Sequence, residues 1–140
     1  MSRRHVLDDV EMRVSQLSLK YFESKVKQVI QTLPSIFLEK MKNVEVIIEE
    51  YPDTETLESL GIQSPWELLG LYSGAPLTHQ SFFSPVTLPQ RIFLYRQPII
   101  HAALPGSDVD RVIREVLIHE IGHHFGFDDK ELEEIMGNSR

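Results

Sequence analysis

The segment HEIGHHFGFDD, residues 119–129, contains the side chains best suited to chemistry in this sequence. His119 and His123 are four residues apart, so on a helix both imidazoles project from one face and can reach the same cation. Glu120 adjoins the first histidine, where its carboxylate can take a proton from a metal-activated water. The spacing therefore predicts a divalent-metal site of the kind that hydrolyses peptide bonds.

Two adjacent acids, Asp128 and Asp129, compete to be the third ligand of this site. The glycine before them, Gly126, permits a left-handed turn that redirects the chain towards the cation. Asp128 has the capping-box spacing to Glu131 at the start of a last helix, whereas Asp129 would pair with the apolar Leu132 and cannot form that box. We therefore assign Asp128 to the helix cap and Asp129 to the metal.

The apolar neighbours of the motif also favour a metal site. At about 100° per residue, His119 and His123 share one arc of the helix with three valines, and Glu120 lies beside Ile113; the valines are Val109, Val112 and Val116. These polar groups are thus predicted to lie on an inward-facing stripe. Leaving one of them unsatisfied there costs about 1–3 kcal/mol, which a metal ion would offset. The alternative is a chance HExxH pattern on a solvated helix.

Composition narrows the kind of site and the kind of partner. The 140 residues include no cysteine, so a metal must be bound by imidazole and carboxylate groups. A formal charge of -7 disfavours nucleic acid and anionic membranes as partners. The first residues lack the apolar run of a secretory signal, and no stretch reaches the ~20 apolar residues of a membrane span. We therefore expect a cytoplasmic protein.

The elements that must position the motif can be predicted from periodicity and turn residues. Apolar spacing predicts helices from residue 17 to 33 and from 36 to 41, and β-branched and aromatic runs predict strands at 44–48 and 91–96. Between the strands, glycines and prolines leave room for one short helix near Thr56 in an otherwise irregular loop. Ser107 resembles a cap that opens the motif helix, which continues to about Phe125, and a last helix spans 128–136. Residues 1–16 are predicted to be a loosely held extension, and residues 17–140 a single domain.

Five further residues are weaker candidates for a functional role. His124 points about 100° away from His123, so it is expected to pack in the core or to support a ligand. His79 and His101 lie in sequence surroundings typical of loops, where a surface position is expected. Tyr95 and Arg96 lie where they could flank a substrate, although a strand tyrosine is more often buried and a strand-end arginine more often solvated.

The segment 119–129 fits the pattern HExxHxxGxxD, and with this pattern the sequence resembles the minimal zincin-like metallopeptidase family of small bacterial proteins. The resemblance covers roughly residues 17–135. It extends to four segments upstream of the motif: Leu33-Pro34, Asn43-Val44-Glu45-Val46, Leu69-Gly70-Leu71-Tyr72 and Arg91-Ile92-Phe93-Leu94-Tyr95-Arg96.

The resemblance implies an α+β fold in which a small mixed sheet packs beside the motif helix. It also implies one zinc ion per chain, with His119, His123 and Asp129 as metal ligands and Glu120 as the catalytic base. The sequence departs from the larger metzincin proteases, because an aspartate replaces their third histidine and Met136 is too close to the motif to form their Met turn. An oxygen ligand is nevertheless compatible with zinc.

These observations predict a zinc metallopeptidase acting on peptides or unfolded proteins, with strand 91–96 offering an edge on which an extended substrate could pair. Two alternatives remain. The first is a non-catalytic binding module. Such a module would be metal-free, would use a metal only to stabilise its fold, or would have its site covered by the loop 64–90. The second is a hydrolase of small amide substrates. Glu120 favours an enzyme, because a purely structural metal site does not need a base. The oligomeric state is not predicted.

Overall fold

The computed structural model describes residues 18–74, 90–103 and 108–138. The extension predicted at residues 1–16 and the candidate His79 lie outside these ranges, as do residues 75–89 of the loop predicted between the strands.

The described chain contains helices at both ends and three strands between them. In order they are α1 (Leu19–Gln31), α2 (Ser35–Lys40), β1 (Val44–Glu49), α3 (Thr54–Leu60), a 3-10 helix (Pro65–Glu67), β2 (Gly70–Ser73), β3 (Gln90–Tyr95), α4 (Arg96–Ala103), α5 (Val109–His124) and α6 (Asp129–Asn138). The strands and helices predicted from periodicity are all present, including the short helix near Thr56.

The three strands form one mixed sheet in the order β1-β3-β2. β1 is parallel to β3, with Val44 opposite Gln90, and β2 is antiparallel to β3, with Gly70 opposite Leu94. This confirms the predicted α+β class. It also corrects one prediction: the strand expected at 91–96 lies in the centre of the sheet, so both of its sides are paired and it offers no edge to a peptide.

The motif helix α5 lies against the core formed by the sheet and the other helices. Four of its side chains have no exposed surface: Ile113, Leu117, Ile118 and Ile121. They pack in one core with buried residues of the sheet and of other helices, among them Phe22, Phe37, Ile92, Leu94 and Leu132. Burial of one such side chain contributes about 1.5–3 kcal/mol. The position of α5 is therefore set by close packing along its buried face.

Two elements differ from the sequence-based predictions. The sequence predicted irregular chain where β2 lies, because the four residues of this strand are too few to show an alternation of apolar and polar side chains. α4 was also not expected, since Pro98 was taken to end the preceding strand. Pro98 is instead the third residue of α4, in the first helical turn, where a proline removes no intrahelical hydrogen bond.

The start of the motif helix also differs by one residue from the prediction. Asp108, not Ser107, is the N-cap of α5, and its side chain accepts a hydrogen bond from the backbone of Asp110 at 3.0 Å. No helix within the described ranges is long and apolar enough to cross a membrane.

Candidate metal and catalytic site

The end of α5 turns the chain back towards the motif. Gly126 has φ +90°, a left-handed conformation that favours glycine. Its amide donates to the His123 carbonyl at 3.1 Å, and the Phe127 amide donates to the Gly122 carbonyl at 2.8 Å. This pair of bonds is a Schellman motif, which satisfies carbonyls that the helix end leaves free. The predicted left-handed turn is thus confirmed.

The next helix, α6, begins with a reciprocal cap. The Asp128 carboxylate accepts from the Glu131 amide at 2.8 Å, and the Glu131 carboxylate accepts from the Asp128 amide at 3.3 Å. This is the capping box predicted from the spacing of the two acids. Because Asp128 is used in this way, the neighbouring Asp129 side chain is free of the cap.

The turn and the cap together bring Asp129 to the second histidine of the motif. Asp129 Oδ1 lies 2.8 Å from His123 Nε2, and both side chains are largely exposed, at 77% and 53%. A carboxylate oxygen can only accept, so the imidazole donates its Nε2 proton in this arrangement. Two of the three predicted ligands are therefore in contact.

The first histidine is oriented by its own helix. His119 Nδ1 lies 2.8 Å from the Glu115 carbonyl oxygen, and because a carbonyl accepts, Nδ1 carries the proton. The lone pair of a neutral imidazole is then on Nε2. A backbone partner of this kind is typical of histidines that bind metals through the other ring nitrogen. The ring centroids of His119 and His123 are 5.9 Å apart.

These residues can be tested for their fit to zinc. Within residues 18–74, 90–103 and 108–138, no three His, Asp or Glu side chains already form a group that could hold a metal ion. Tetrahedral zinc would separate a nitrogen and an oxygen ligand by about 3.4 Å, compared with 2.8 Å between His123 Nε2 and Asp129 Oδ1. The exposed Asp129 side chain can move outward by that difference. Imidazole nitrogen and carboxylate oxygen are donors that zinc accepts, so the chemistry of these residues fits the ion.

Glu120 lies on the same helix, half-buried beside the two histidines. Burial raises the pKa of its carboxyl group, and this effect is opposed by His123, by a hydrogen bond from the Tyr72 backbone and by His119. Its carboxylate therefore lies in a partly desolvated position between the motif helix and β2.

A cleft of about 280 Å³ runs along this side of the helix. One wall is α5, with Glu115, Val116, His119 and Glu120, and the other is the chain at residues 67–70. The walls are close where β2 begins: a Cβ added to Gly70 would lie 2.5 Å from Val116 Cγ1. The sequence analysis named Gly70 only as part of the family resemblance, and it did not identify Glu67. No spacing rule links residues 67–70 to a helix so far along the chain.

A larger cavity of about 550 Å³ lies between α1 and the first half of α5. It shares Glu115 with the cleft but contains none of the motif side chains. We therefore place the candidate site in the smaller cleft.

His124 packs away from the predicted ligands, as expected. Its ring stacks on Tyr72 of β2, with ring centroids 3.7 Å apart and planes at 12°. Burial lowers the pKa of His124 and raises the pKa of the Tyr72 hydroxyl. The stack thus links the end of the motif helix to the strand that faces it, and Tyr72 is a supporting residue that sequence reasoning did not single out.

The remaining candidates do not enter the cleft. Tyr95 is 2% exposed, and burial together with nearby acids raises its pKa to about 12. Arg96 forms a two-pronged ion pair with Glu50, with contacts of 2.8 and 2.6 Å. His101 is exposed, but it lies on α4 and not in a loop.

The inward stripe predicted for the motif is only partly correct. His119 and Glu120 are half-buried, whereas His123 lies at the surface. Its Nε2 atom is hydrogen-bonded to Asp129, and its side chain is 53% exposed.

Comparisons with known proteins agree with this architecture. A family model described as a zincin-like metallopeptidase matches residues 41–138. A conserved hypothetical protein from Thermo thermophilus has a similar structure, with a TM-score of 0.52 and 23% identity, covering 86% of this chain and 99% of that one. At that identity the likeness concerns the fold alone. No curated protein sequence matches the chain.

Proposed function

The chain belongs to the zincin-like metallopeptidase family, and from this premise we propose that it is a zinc-dependent metallopeptidase. One observation carries the proposal: His123 Nε2 and Asp129 Oδ1 are 2.8 Å apart, although they are six residues apart in the chain. A Schellman turn and a capping box bring these two groups together, and they can supply two of the three protein ligands of a catalytic zinc site.

In this proposal His119, His123 and Asp129 hold the ion. When bound, zinc would supply Lewis-acid chemistry, lowering the pKa of water and polarising the scissile carbonyl. The Glu115 carbonyl orients the His119 ring and so presents Nε2 to the ion.

Glu120 is the proposed base. Its carboxylate takes the proton from the attacking water and passes it to the departing amine, so that the peptide bond is replaced by an acid and an amine. The half-buried position of Glu120 excludes part of the bulk water from this transfer. The Tyr72 backbone, which hydrogen-bonds to Glu120, fixes the carboxylate relative to β2.

The substrate in this proposal is an extended peptide. β2, not the central β3, is at the sheet edge nearest the motif, and residues 67–70 leading into it line the cleft. An extended chain can pair with such an edge, whereas a folded protein cannot present one. The small volume of the cleft, about 280 Å³, keeps hydrolysis of small amides as the second candidate function.

The test combines metal content with hydrolysis. We expect about one zinc per chain and cleavage of an unfolded protein, and Glu120→Gln should lower the rate by about 10²–10⁴-fold without loss of metal. Glu133→Gln, an exposed acid of α6, is the matched control. His119→Ala and His123→Ala should each remove most of the metal.

Three outcomes would contradict the proposal. Normal hydrolysis by Glu120→Gln would exclude Glu120 as the base, and loss of metal from that variant would make it a ligand instead. A wild-type chain that binds no divalent ion would be a binding module. Cleavage of small amides but of no peptide would favour the second candidate.

A further inference from the structure

Three exposed rings form a cluster beside the cleft. Tyr51, which follows β1, and Trp66, in the 3-10 helix, meet edge to face with centroids 5.6 Å apart, and Trp66 contacts His101 of α4 at 4.7 Å. We call Tyr51, Trp66 and His101 the aromatic cluster. Each ring comes from a different element, so the sheet and α4 fix their relative positions.

The aromatic side chains of this cluster are unusually exposed to solvent. Trp66, the sole tryptophan of the chain, is 43% exposed, and Tyr51 is 46% exposed. Aromatic side chains contribute most to binding when they are already held in place, because little rotamer entropy is then lost. The ring contacts of Trp66 provide this preorganisation on the surface.

The chain segment that carries Tyr51 and Trp66 is strongly acidic. Residues 44–74 contain seven acidic residues and no lysine or arginine. The acids are Glu45, Glu49, Glu50, Asp53, Glu55, Glu58 and Glu67. Arg91 pairs with Glu45 and Arg96 with Glu50, which neutralises two of them. The surface that carries Tyr51 and Trp66 therefore keeps an excess of negative charge, which attracts cations and repels nucleic acid and anionic lipid.

The cluster is connected to the candidate active site through the chain. Trp66 is followed directly by Glu67, an acid that lines the cleft, and consecutive Cα atoms are about 3.8 Å apart. On the opposite wall, the cleft contains Glu115 and Glu120. Glu67 therefore joins the cleft to the segment that carries Trp66.

We propose that the aromatic cluster and Glu67 bind the substrate through its lysine or arginine side chains, so that the preferred substrate is an extended basic peptide. A cation over an exposed indole face is attracted by the ring quadrupole, and arginine also stacks on it. Glu67 adds an ion pair one residue away. This inference rests on the proposed peptidase function, because only a peptidase would have the peptide as its substrate. The binding of a basic peptide does not itself depend on turnover.

The experiment measures binding without cleavage. The full-length Glu120→Gln chain is titrated against two fluorescein-labelled peptides of equal length, one with lysine and arginine at alternate positions and one with glutamate in their place. Anisotropy should report tighter binding of the basic peptide by about tenfold or more, weakening as salt is raised. Trp66→Ala should remove about tenfold of this affinity, and Glu67→Gln roughly threefold.

Matched controls separate the cluster from general surface effects. Tyr21→Ala removes an aromatic ring of similar exposure on α1, and Glu23→Gln removes an exposed acid of the same helix; neither should change the affinity. Equal binding of the two peptides, no binding of the basic one, or unchanged affinity in both Trp66→Ala and Glu67→Gln overturns the proposal. Tight binding of a basic peptide that the zinc-loaded wild type fails to cleave supports the docking surface and counts against the peptidase function alone.

Discussion

The two walls of the cleft are built in opposite ways. The helix wall, α5, buries four side chains completely and carries every predicted catalytic or metal-binding residue except Asp129. The facing wall, residues 67–70 together with the preceding Trp66, buries only Gly70, and the Trp66 and Glu67 side chains reach solvent. The proposed chemistry thus lies on the element that the core holds in place, and the proposed recognition on a more exposed segment. The substitutions below test this division, beginning with the largest expected loss.

The largest effect is expected behind the helix wall, where α6 packs on α5. Leu132 has no exposed surface and occupies the space where a Cβ on Gly122 would lie. Leu132→Ala should lower the free energy of unfolding by about 2–5 kcal/mol, and Gly122→Ala by about 1–3 kcal/mol through overpacking. In the Leu132→Ala background, Gly122→Ala should instead be neutral or stabilising, by up to about 1 kcal/mol, because alanine favours the helix. Denaturant unfolding of the four proteins measures this coupling, and simple additivity would contradict it.

The next effect separates the two acids at the end of the helix wall. Asp128→Ala removes the cap of α6 and should cost about 0.5–2 kcal/mol of stability while leaving metal affinity unchanged. Asp129→Ala should sharply weaken metal binding, with any loss of stability disappearing when both proteins are treated with chelator. Competition titration and melting curves with and without chelator make the comparison. If the two variants exchange these phenotypes, the ligand assignment is wrong by one residue.

A smaller effect is expected at the ion pair that joins the residue after β1 to the first residue of α4. The hydrogen bonds from Arg96 hold the pKa of Glu50 below its usual value, so the pair stabilises the fold above the pKa of an unfolded glutamate, about 4.3. That contribution is lost as pH falls through the lower folded pKa. Because the pair is partly exposed, Glu50→Gln should cost about 0.2–1 kcal/mol at pH 7 and nothing at strongly acidic pH. Unfolding curves across this range check the sign, and a difference that grows on acidification would contradict it.

The smallest effect is expected on the facing wall itself. Trp66→Ala should change the free energy of unfolding by less than about 0.5 kcal/mol, since surface substitutions away from caps and buried networks seldom cost more. The measurement is a melting curve beside that of Tyr21→Ala, a matched exposed ring. A loss comparable to that of Leu132→Ala would show that the facing wall belongs to the core, and the division between the walls would fail.

Sequence predicted the helix wall much better than the facing wall. The motif, the left-handed Gly126 and the Asp128 cap depend on residues close in the chain, so spacing rules apply directly to them. β2 depends on pairing with β3 and on the small size of Gly70, and no local pattern reports either. For the same reason the sequence could identify 91–96 as a strand, but not that it would be paired on both sides.

The aromatic cluster illustrates the same limit. Tyr51, Trp66 and His101 are far apart in the sequence, and each has an ordinary local environment: a chain turn, a short 3-10 helix and a helix surface. Only the sheet and α4 bring them together. What a single sequence did contain was the charge pattern, since the absence of lysine and arginine from residues 44–74 can be read without a structure.

The parallel pairing of β1 with β3 has a consequence for the order of folding. Glu45 and Arg91 are partners in this ladder and are 46 residues apart in the chain. The ladder can therefore form only after a long loop has closed, and the entropic cost of closing that loop comes before any contact stabilises the pair. The turn at Gly126 and the cap at Asp128 need only residues within the next or previous few positions. When the full-length chain refolds, we therefore expect the end of the motif helix and its turn to form locally, and the β1–β3 ladder to be completed afterwards.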